Sequence, residues 1–156
     1  MATILYIEDF QPQVRLVEYI LTVKGGHEVL SAEDGVVGYE MALSHRPDLI
    51  ITDLGMPRMD GWTLIPKLLR TTLFRRVPIL ILTAYAGVGD AERWLPFDLP
   101  IACKPISSRY FHKEVAWLLD WAASQPPAEP SDDPTTYSFY LSKMPDEVRA
   151  ARKNLY

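Results

Sequence analysis

Short apolar runs alternate with segments of helical periodicity along most of this 156-residue chain, and that alternation limits its possible folds more than any other feature. Each run has the length of a buried strand, and in most of the segments that follow the runs apolar residues recur every three or four positions. The five runs are residues 4–7, 28–32, 49–53, 79–82 and 99–103. Strands that alternate with helices pair in parallel, so the sequence predicts a doubly wound α/β domain. Its five-stranded parallel sheet should carry helices on both faces.

Composition divides the chain into three parts. Residues 1–124 contain all five apolar runs and form the predicted domain. Residues 125–136 are rich in proline, which favours a stiff, extended linker and excludes a helix. Residues 137–156 end in a short segment with acids first and bases last, an order that is typical of a helix because it complements the helix dipole.

The C-terminal segment also carries four large apolar side chains close together. They are Tyr137, Phe139, Tyr140 and Leu141. Apolar groups in such a cluster usually bury against another surface. We therefore expect the segment to dock on the domain or on a second copy of it, and the second arrangement would produce a homodimer.

Charge and composition argue against binding to nucleic acid or to a membrane. The formal net charge of -4 argues against non-specific binding to nucleic acid, which needs clustered Lys and Arg, so the expected partners are proteins. No apolar stretch is long enough to span a membrane, and residues 1–4 lack the features of a secretion signal. The single cysteine, Cys103, cannot form an internal disulfide and suits a reducing compartment. We expect a cytoplasmic protein that binds neither nucleic acid nor membrane.

Polar side chains follow four of the five predicted strands. Glu8 and Asp9 follow the first, Asp53 ends the third, Thr83 follows the fourth and Lys104 follows the fifth. The carboxyl ends of parallel strands lie at one edge of the sheet, so these groups should converge there. Crowded carboxylates favour a cation between them, and hard oxygen ligands suit Mg²⁺, while lysine suits a phosphoryl oxygen. The set indicates phosphoryl transfer with a carboxylate as the nucleophile.

The order and spacing of these residues resemble the receiver domain of two-component response regulators. The resemblance covers about residues 3–123. It includes three further pairs, Met56-Pro57, Asp60-Gly61 and Lys104-Pro105. It implies the flavodoxin-like strand order 2-1-3-4-5. It also implies that Asp53 accepts a phosphoryl group from a histidine kinase or a phosphotransfer protein.

The resemblance assigns roles to the other residues at the predicted edge. It implies a set of Mg²⁺ ligands, namely Glu8, Asp9, Asp53 and the backbone carbonyl of Gly55. Lys104 would pair with the phosphoryl group, and Thr83 would respond to it. A cis peptide bond is implied before Pro105. On this interpretation the protein signals through protein–protein contacts and is not an enzyme, apart from slow loss of its own phosphoryl group.

The chain departs from the receiver pattern between Thr83 and Lys104. Ile101 stands where receivers usually carry an aromatic residue, three positions before the lysine, and a branched aliphatic side chain has no ring to swing. The proline-containing stretch 84–100 shows little helical pattern. We therefore expect phosphorylation to rearrange residues 84–100 and to leave Ile101 nearly still. Since only the linker and the tail follow the domain, we expect a stand-alone receiver.

Two alternative functions remain open from the sequence. One is a receiver-like scaffold that works without phosphorylation, although the complete set of polar residues argues against it. The other is a phosphatase of the haloacid-dehalogenase type, which also uses an aspartate at a strand end and Mg²⁺. That family has a second aspartate two residues after the nucleophile, where this chain has Gly55, and usually a cap domain for which there is no room.

Overall fold

A computed structural model describes residues 1–74, 76–84 and 99–124. The predicted linker 125–136 and tail 137–156 lie outside the described residues, and so does most of the 84–100 stretch. The predictions for docking, dimerisation and the phosphorylation response therefore stay predictions. None of the helices within the described ranges is both long enough and apolar enough to cross a membrane.

Five strands form a single parallel sheet. They are β1 (Thr3–Ile7), β2 (Glu28–Ala32), β3 (Leu49–Thr52), β4 (Ile79–Thr83) and β5 (Ile101–Cys103). Their order in the sheet is β2-β1-β3-β4-β5, which confirms the predicted fold class and strand order. Every residue of β3, β4 and β5 is buried, because helices cover both faces of the sheet. This double coverage explains why these strands read as continuous apolar runs.

Four helices connect and flank the strands in the described part of the chain. They are α1 (Gln11–Tyr19), α2 (Gly35–His45), α3 (Gly61–Arg70) and α4 (Phe111–Ser124). A π-helical segment, Ile20–Lys24, extends α1, and a single 3₁₀ turn follows α3 at Thr72–Phe74. The side chains of Asp34 and Asp60 cap α2 and α3 by accepting hydrogen bonds from backbone N–H groups of the first turn.

The hydrophobic core lies in two layers, one on each face of the sheet. Side chains alternate along β1, so that Leu5 and Ile7 enter one layer while Ile4 and Tyr6 enter the other. The first layer is completed mainly by α2 and α3, and the second by α1 and α4. Ile101 is buried in the first layer. The two layers hold the strand ends at the edge where the polar side chains were expected.

Candidate functional site

The structure brings together the polar side chains that follow β1, β3 and β5. The Nζ atom of Lys104 lies 2.7 Å from Oε2 of Glu8 and 2.9 Å from Oδ2 of Asp53. Glu8 is 1% exposed, while the side chains of Asp53 and Lys104 are 13% and 16% exposed. The convergence expected at this edge is therefore present, with an ammonium group between two carboxylates at the rim of the sheet.

Glu8 is the most deeply buried member of the group and accepts three hydrogen bonds. Oε2 accepts from Lys104 at 2.7 Å and from the hydroxyl of Tyr6 at 3.2 Å, while Oε1 accepts from the backbone N–H of Phe10 at 3.1 Å. Burial raises the pKa of Glu8 above its ordinary value, although the hydrogen bond from Lys104 opposes that rise. Burial and the nearby Glu8 carboxylate also raise the pKa of Tyr6, so its hydroxyl stays protonated and acts as a donor.

Lys104 keeps its positive charge in this setting. Burial alone would lower the pKa of its ammonium, but the hydrogen bonds to Asp53 and Glu8 outweigh burial and raise that pKa. The backbone N–H of Lys104 donates to the carbonyl of Thr83 at 2.8 Å, which continues the pairing of β5 with β4 beyond the last strand residue. The peptide bond between Lys104 and Pro105 is cis, as the resemblance implied.

Asp53 lines a cavity at the end of β3. Its backbone N–H donates to the carbonyl of Ile7 at 3.1 Å, and its Oδ1 accepts from the backbone N–H of Leu54 at 2.7 Å. These bonds fix the carboxylate, and its Oδ2 faces Lys104. The adjoining cavity has a volume of about 200 Å³ and is lined by Asp53, Gly55, Thr83 and Ala84. A group of the size of a phosphoryl can therefore reach the carboxylate beside Thr83, whose side chain is fully buried.

The loop between β3 and α3 is fixed by contacts that sequence reasoning missed. Arg58 adopts a left-handed backbone conformation with φ of 62°, and its Nε donates to Oδ2 of Asp34 at 2.6 Å. The backbone N–H of Gly35 donates to the carbonyl of Met59 at 2.9 Å. In the sequence, Asp34 is a short acidic side chain before an apolar periodic segment, which predicts a helix cap, and nothing there pairs it with a residue 24 positions away. Together these contacts tie the loop that carries Gly55 to the start of α2.

The ion pair of Asp34 should make stability depend on acid pH. Burial would raise the pKa of Asp34, but hydrogen bonds from the N–H of Val37 and from Arg58 outweigh burial and lower it. A carboxyl whose pKa is lowered by folding stabilises the protein above its unfolded pKa, and that contribution disappears as the pH falls through the folded pKa. The variant Asp34→Asn can still cap α2 but lacks the charge.

We expect Asp34→Asn to unfold with a free energy about 1–2 kcal/mol below that of the wild type near neutral pH. The difference should vanish in strong acid, where Asp34 of the wild type is also uncharged. Urea titrations of both proteins across the acid range measure this difference directly. A gap that stays constant at every pH would show that the charge of Asp34 does not stabilise the fold.

The residues at this edge fit a hard cation that keeps part of its water shell. Glu8 and Asp53 provide two carboxylates that meet at Lys104, and Gly55 lines the cavity beside Asp53. Asp9 comes directly after Glu8 and is exposed. In the part of the chain that the structure describes, the His, Cys, Asp and Glu side chains form no group of three or more that could hold a metal ion. Mg²⁺ accepts a ligand set of one or two carboxylates, a backbone carbonyl and water. The magnesium site at this edge of the sheet stays a prediction.

A family model described as the response regulator receiver domain matches residues 4–113, well over half of the chain. The chain belongs to this receiver family. The receiver is 40% identical over 89 residues to the response regulator PleD of Caulobacter vibrioides, covering 57% of this chain and 19% of PleD. It is 29% identical over 91 residues to the polar-differentiation response regulator DivK of Brucella anthropi, covering 58% of this chain and 73% of DivK. The matched part therefore spans about a fifth of the length of PleD.

Solved structures of receivers share the fold. The signal receiver domain of a signal transduction histidine kinase from Syntrophus aciditrophicus matches with a TM-score of 0.71 and 28% identity, covering 81% of this chain and 96% of that one. The chemotaxis response regulator CheY4 of Vibrio cholerae matches with a TM-score of 0.66 and 24% identity, covering 76% of this chain and 98% of CheY4. The second likeness is one of fold alone.

Family membership establishes the general role of the chain. It contains a response regulator receiver domain of two-component signalling. Receiver domains are signalling proteins rather than typical enzymes, and they interact with histidine kinases or phosphotransfer proteins. They generally bind Mg²⁺ at their acidic phosphorylation site. These matches favour neither the phosphatase nor the scaffold alternative.

Proposed function

We propose that this receiver accepts a phosphoryl group on Asp53 from a histidine kinase or a phosphotransfer protein, and then acts through a protein partner. The observation that supports the proposal best is the pairing of Lys104 with Asp53 at 2.9 Å, beside the cavity that Asp53 lines together with Gly55 and Thr83. A carboxylate held by fixed donors beside a charged lysine has the parts needed for phosphoryl transfer. The protein contributes mainly position and charge stabilisation.

Each residue then has a defined task. An oxygen of Asp53 forms the new bond to phosphorus, while the bond between phosphorus and the donor's imidazole nitrogen breaks and that nitrogen keeps the electron pair. Lys104, anchored by Glu8, neutralises charge on a phosphoryl oxygen, and the hydroxyl of Thr83 donates to another. Bound Mg²⁺ would supply further positive charge, and its ligands would be Glu8, Asp9, Asp53 and the carbonyl of Gly55.

Outside the phosphorylation site, the proposal covers turnover, the downstream partner, the domain bounds and the cellular location. We expect no turnover of external substrates, only slow hydrolysis of the acyl phosphate on the receiver itself. The acidic net charge favours a protein rather than DNA as the downstream partner. The domain would comprise residues 1–124, followed by the linker 125–136. The segment 137–156 would dock on the domain or join two copies, and the protein would work in the cytoplasm.

Loss of the carboxylate at position 53 should abolish phosphorylation. We expect the wild type, incubated with a small acyl phosphate and Mg²⁺, to gain one phosphoryl group in intact-mass spectrometry, and to gain none after chelation of the metal. Asp53→Asn should gain none under either condition, because an amide oxygen is a far weaker nucleophile than a carboxylate.

Asp60→Asn is the matched control for this experiment. Asp60 lies in the same loop and caps α3, and asparagine can replace it as a cap. This variant should gain one phosphoryl group like the wild type. An unchanged adduct on Asp53→Asn would contradict the assignment. Repeated turnover of a simple phosphoester by the wild type would instead support the phosphatase alternative.

A further inference from the structure

Tyr6 places a hydroxyl inside a core layer that is otherwise built mainly from aliphatic side chains. It lies on β1, two residues before Glu8, so both side chains point to the same face of the sheet. Its side chain is fully buried, and its ring packs in the layer shared with α1 and α4. Phenylalanine would fill the same space and would bury no hydroxyl. Burial of a hydroxyl is unfavourable unless the hydroxyl is hydrogen-bonded. The hydroxyl is therefore not required for packing.

The hydroxyl donates to a residue of the proposed phosphorylation site, and the side chain of Gln13 also lies within hydrogen-bonding reach of it. Tyr6 donates to Oε2 of Glu8 at 3.2 Å, and the same oxygen accepts from Lys104 at 2.7 Å. The other carboxylate oxygen accepts from the backbone N–H of Phe10. Tyr6 and the backbone are the rigid donors in this set, whereas Lys104 has a long, flexible side chain. Without the hydroxyl, only that flexible side chain would hold Oε2.

We propose that Tyr6 is a positioning residue of the phosphorylation site. Its hydroxyl holds the Glu8 carboxylate in the orientation in which Glu8 anchors Lys104 beside Asp53. Tyr6 itself does not touch the cavity and acts only through Glu8. This inference rests on the proposed function, and it adds a residue from the core of the sheet to the set that governs phosphoryl transfer.

The test compares two variants that each remove one tyrosine hydroxyl. Tyr6→Phe removes the hydrogen bond to Glu8, and Tyr39→Phe removes a bond of 2.9 Å between Tyr39 and Thr71. Both should lower the melting temperature slightly. Only Tyr6→Phe should lower the maximal rate of phosphorylation by a small acyl phosphate, by about tenfold, as expected for a lost hydrogen bond to a charged group. The acyl phosphate concentration that gives half the maximal rate should stay the same.

Two further measurements separate positioning from general stability. Calorimetric titration with Mg²⁺ alone should show weaker binding by Tyr6→Phe and unchanged binding by Tyr39→Phe, because Glu8 is a proposed ligand. In a Glu8→Gln background, Tyr6→Phe should change the maximal rate by less than about twofold, because residues that act through one another are not additive. A full tenfold effect in that background would contradict action through Glu8.

The possible results distinguish this inference from the function on which it rests. A wild-type chain that takes up no phosphoryl group would contradict both. A normal wild type with an equally fast Tyr6→Phe variant, and equal Mg²⁺ affinity, would contradict the inference alone. A Tyr6→Phe protein that is unfolded at room temperature would also contradict it, since the proposal requires the packing of β1 to survive the loss of the hydroxyl.

Discussion

Replacing Lys104 with methionine is expected to lower the free energy of unfolding by about 2 kcal/mol near neutral pH. Methionine keeps the length of the side chain but removes the charge that pairs with Glu8 and Asp53. Glu8 is then a buried carboxylate without an opposite charge, and breaking a buried pair in this way is strongly destabilising. We place the effect below the range for fully buried pairs, because Lys104 and Asp53 are partly exposed and Glu8 can take up a proton.

The loss of stability in Lys104→Met should depend on pH. Burial already raises the pKa of Glu8, and loss of Lys104 should raise that pKa further. Protonated Glu8 has no charge to bury, so the deficit should shrink as the pH falls through that raised pKa. Urea titrations near neutrality and at mildly acid pH measure both quantities.

Lys113→Met is the control for the Lys104 prediction. Lys113 is exposed on α4, so its loss should change the unfolding free energy by less than about 0.5 kcal/mol. Phosphorylation should be lost or severely slowed in Lys104→Met and unaffected in Lys113→Met. Equal stabilities of the two variants would contradict the role that the structure gives to the ammonium group between the carboxylates.

Gly61→Ala is expected to destabilise the protein by about 3 kcal/mol, because it forces apart two backbone segments beside Asp53, the proposed phosphoacceptor. A Cβ atom at position 61 would lie 2.2 Å from the carbonyl oxygen of Asp53 and 2.8 Å from Cα of Leu54. Both are backbone atoms that cannot rotate away. The start of α3 or the end of β3 would have to move, and Asp53 would move with it.

Gly55→Ala provides the matched comparison for stability. A Cβ atom at position 55 would meet nothing within 4 Å, so thermal and urea unfolding should change little. Gly61→Ala should also slow phosphorylation, since displacement of Asp53 separates it from Lys104. If Gly61→Ala is as stable as Gly55→Ala, the close approach of α3 to the backbone of Asp53 does not constrain this site.

The sequence predicted the features that depend on local pattern and on topology. Continuous apolar runs that alternate with helical periods define a parallel sheet, and parallel strands place their carboxyl ends together. The convergence of Glu8, Asp53 and Lys104 therefore followed from their positions after three strands. The cap at Asp34 could also be predicted, since a short acidic side chain before an apolar periodic segment favours a helix start.

The details that depend on tertiary geometry could not be predicted. The bond between Arg58 and Asp34 needs a left-handed arginine in one loop and a cap in another, and neither has a sequence signal that points to the other. The link from Tyr6 to Glu8 depends on two side chains sharing one face and on the reach of a phenol. The fifth strand was predicted over residues 99–103, whereas β5 begins at Ile101, and α1 ends in a π-helical segment rather than in regular turns.

The most direct test of the account locates the phosphoryl group within the chain. Borohydride reduces an acyl phosphate to an alcohol, so the phosphorylated residue can be identified in peptides by mass spectrometry. After treatment of the wild type with an acyl phosphate and Mg²⁺, we predict that Asp53 alone is converted to homoserine. Conversion at Asp9 or Asp60 with Asp53 intact, or a phosphoryl group on a histidine, would contradict the claim that Asp53 is the phosphoacceptor of this receiver.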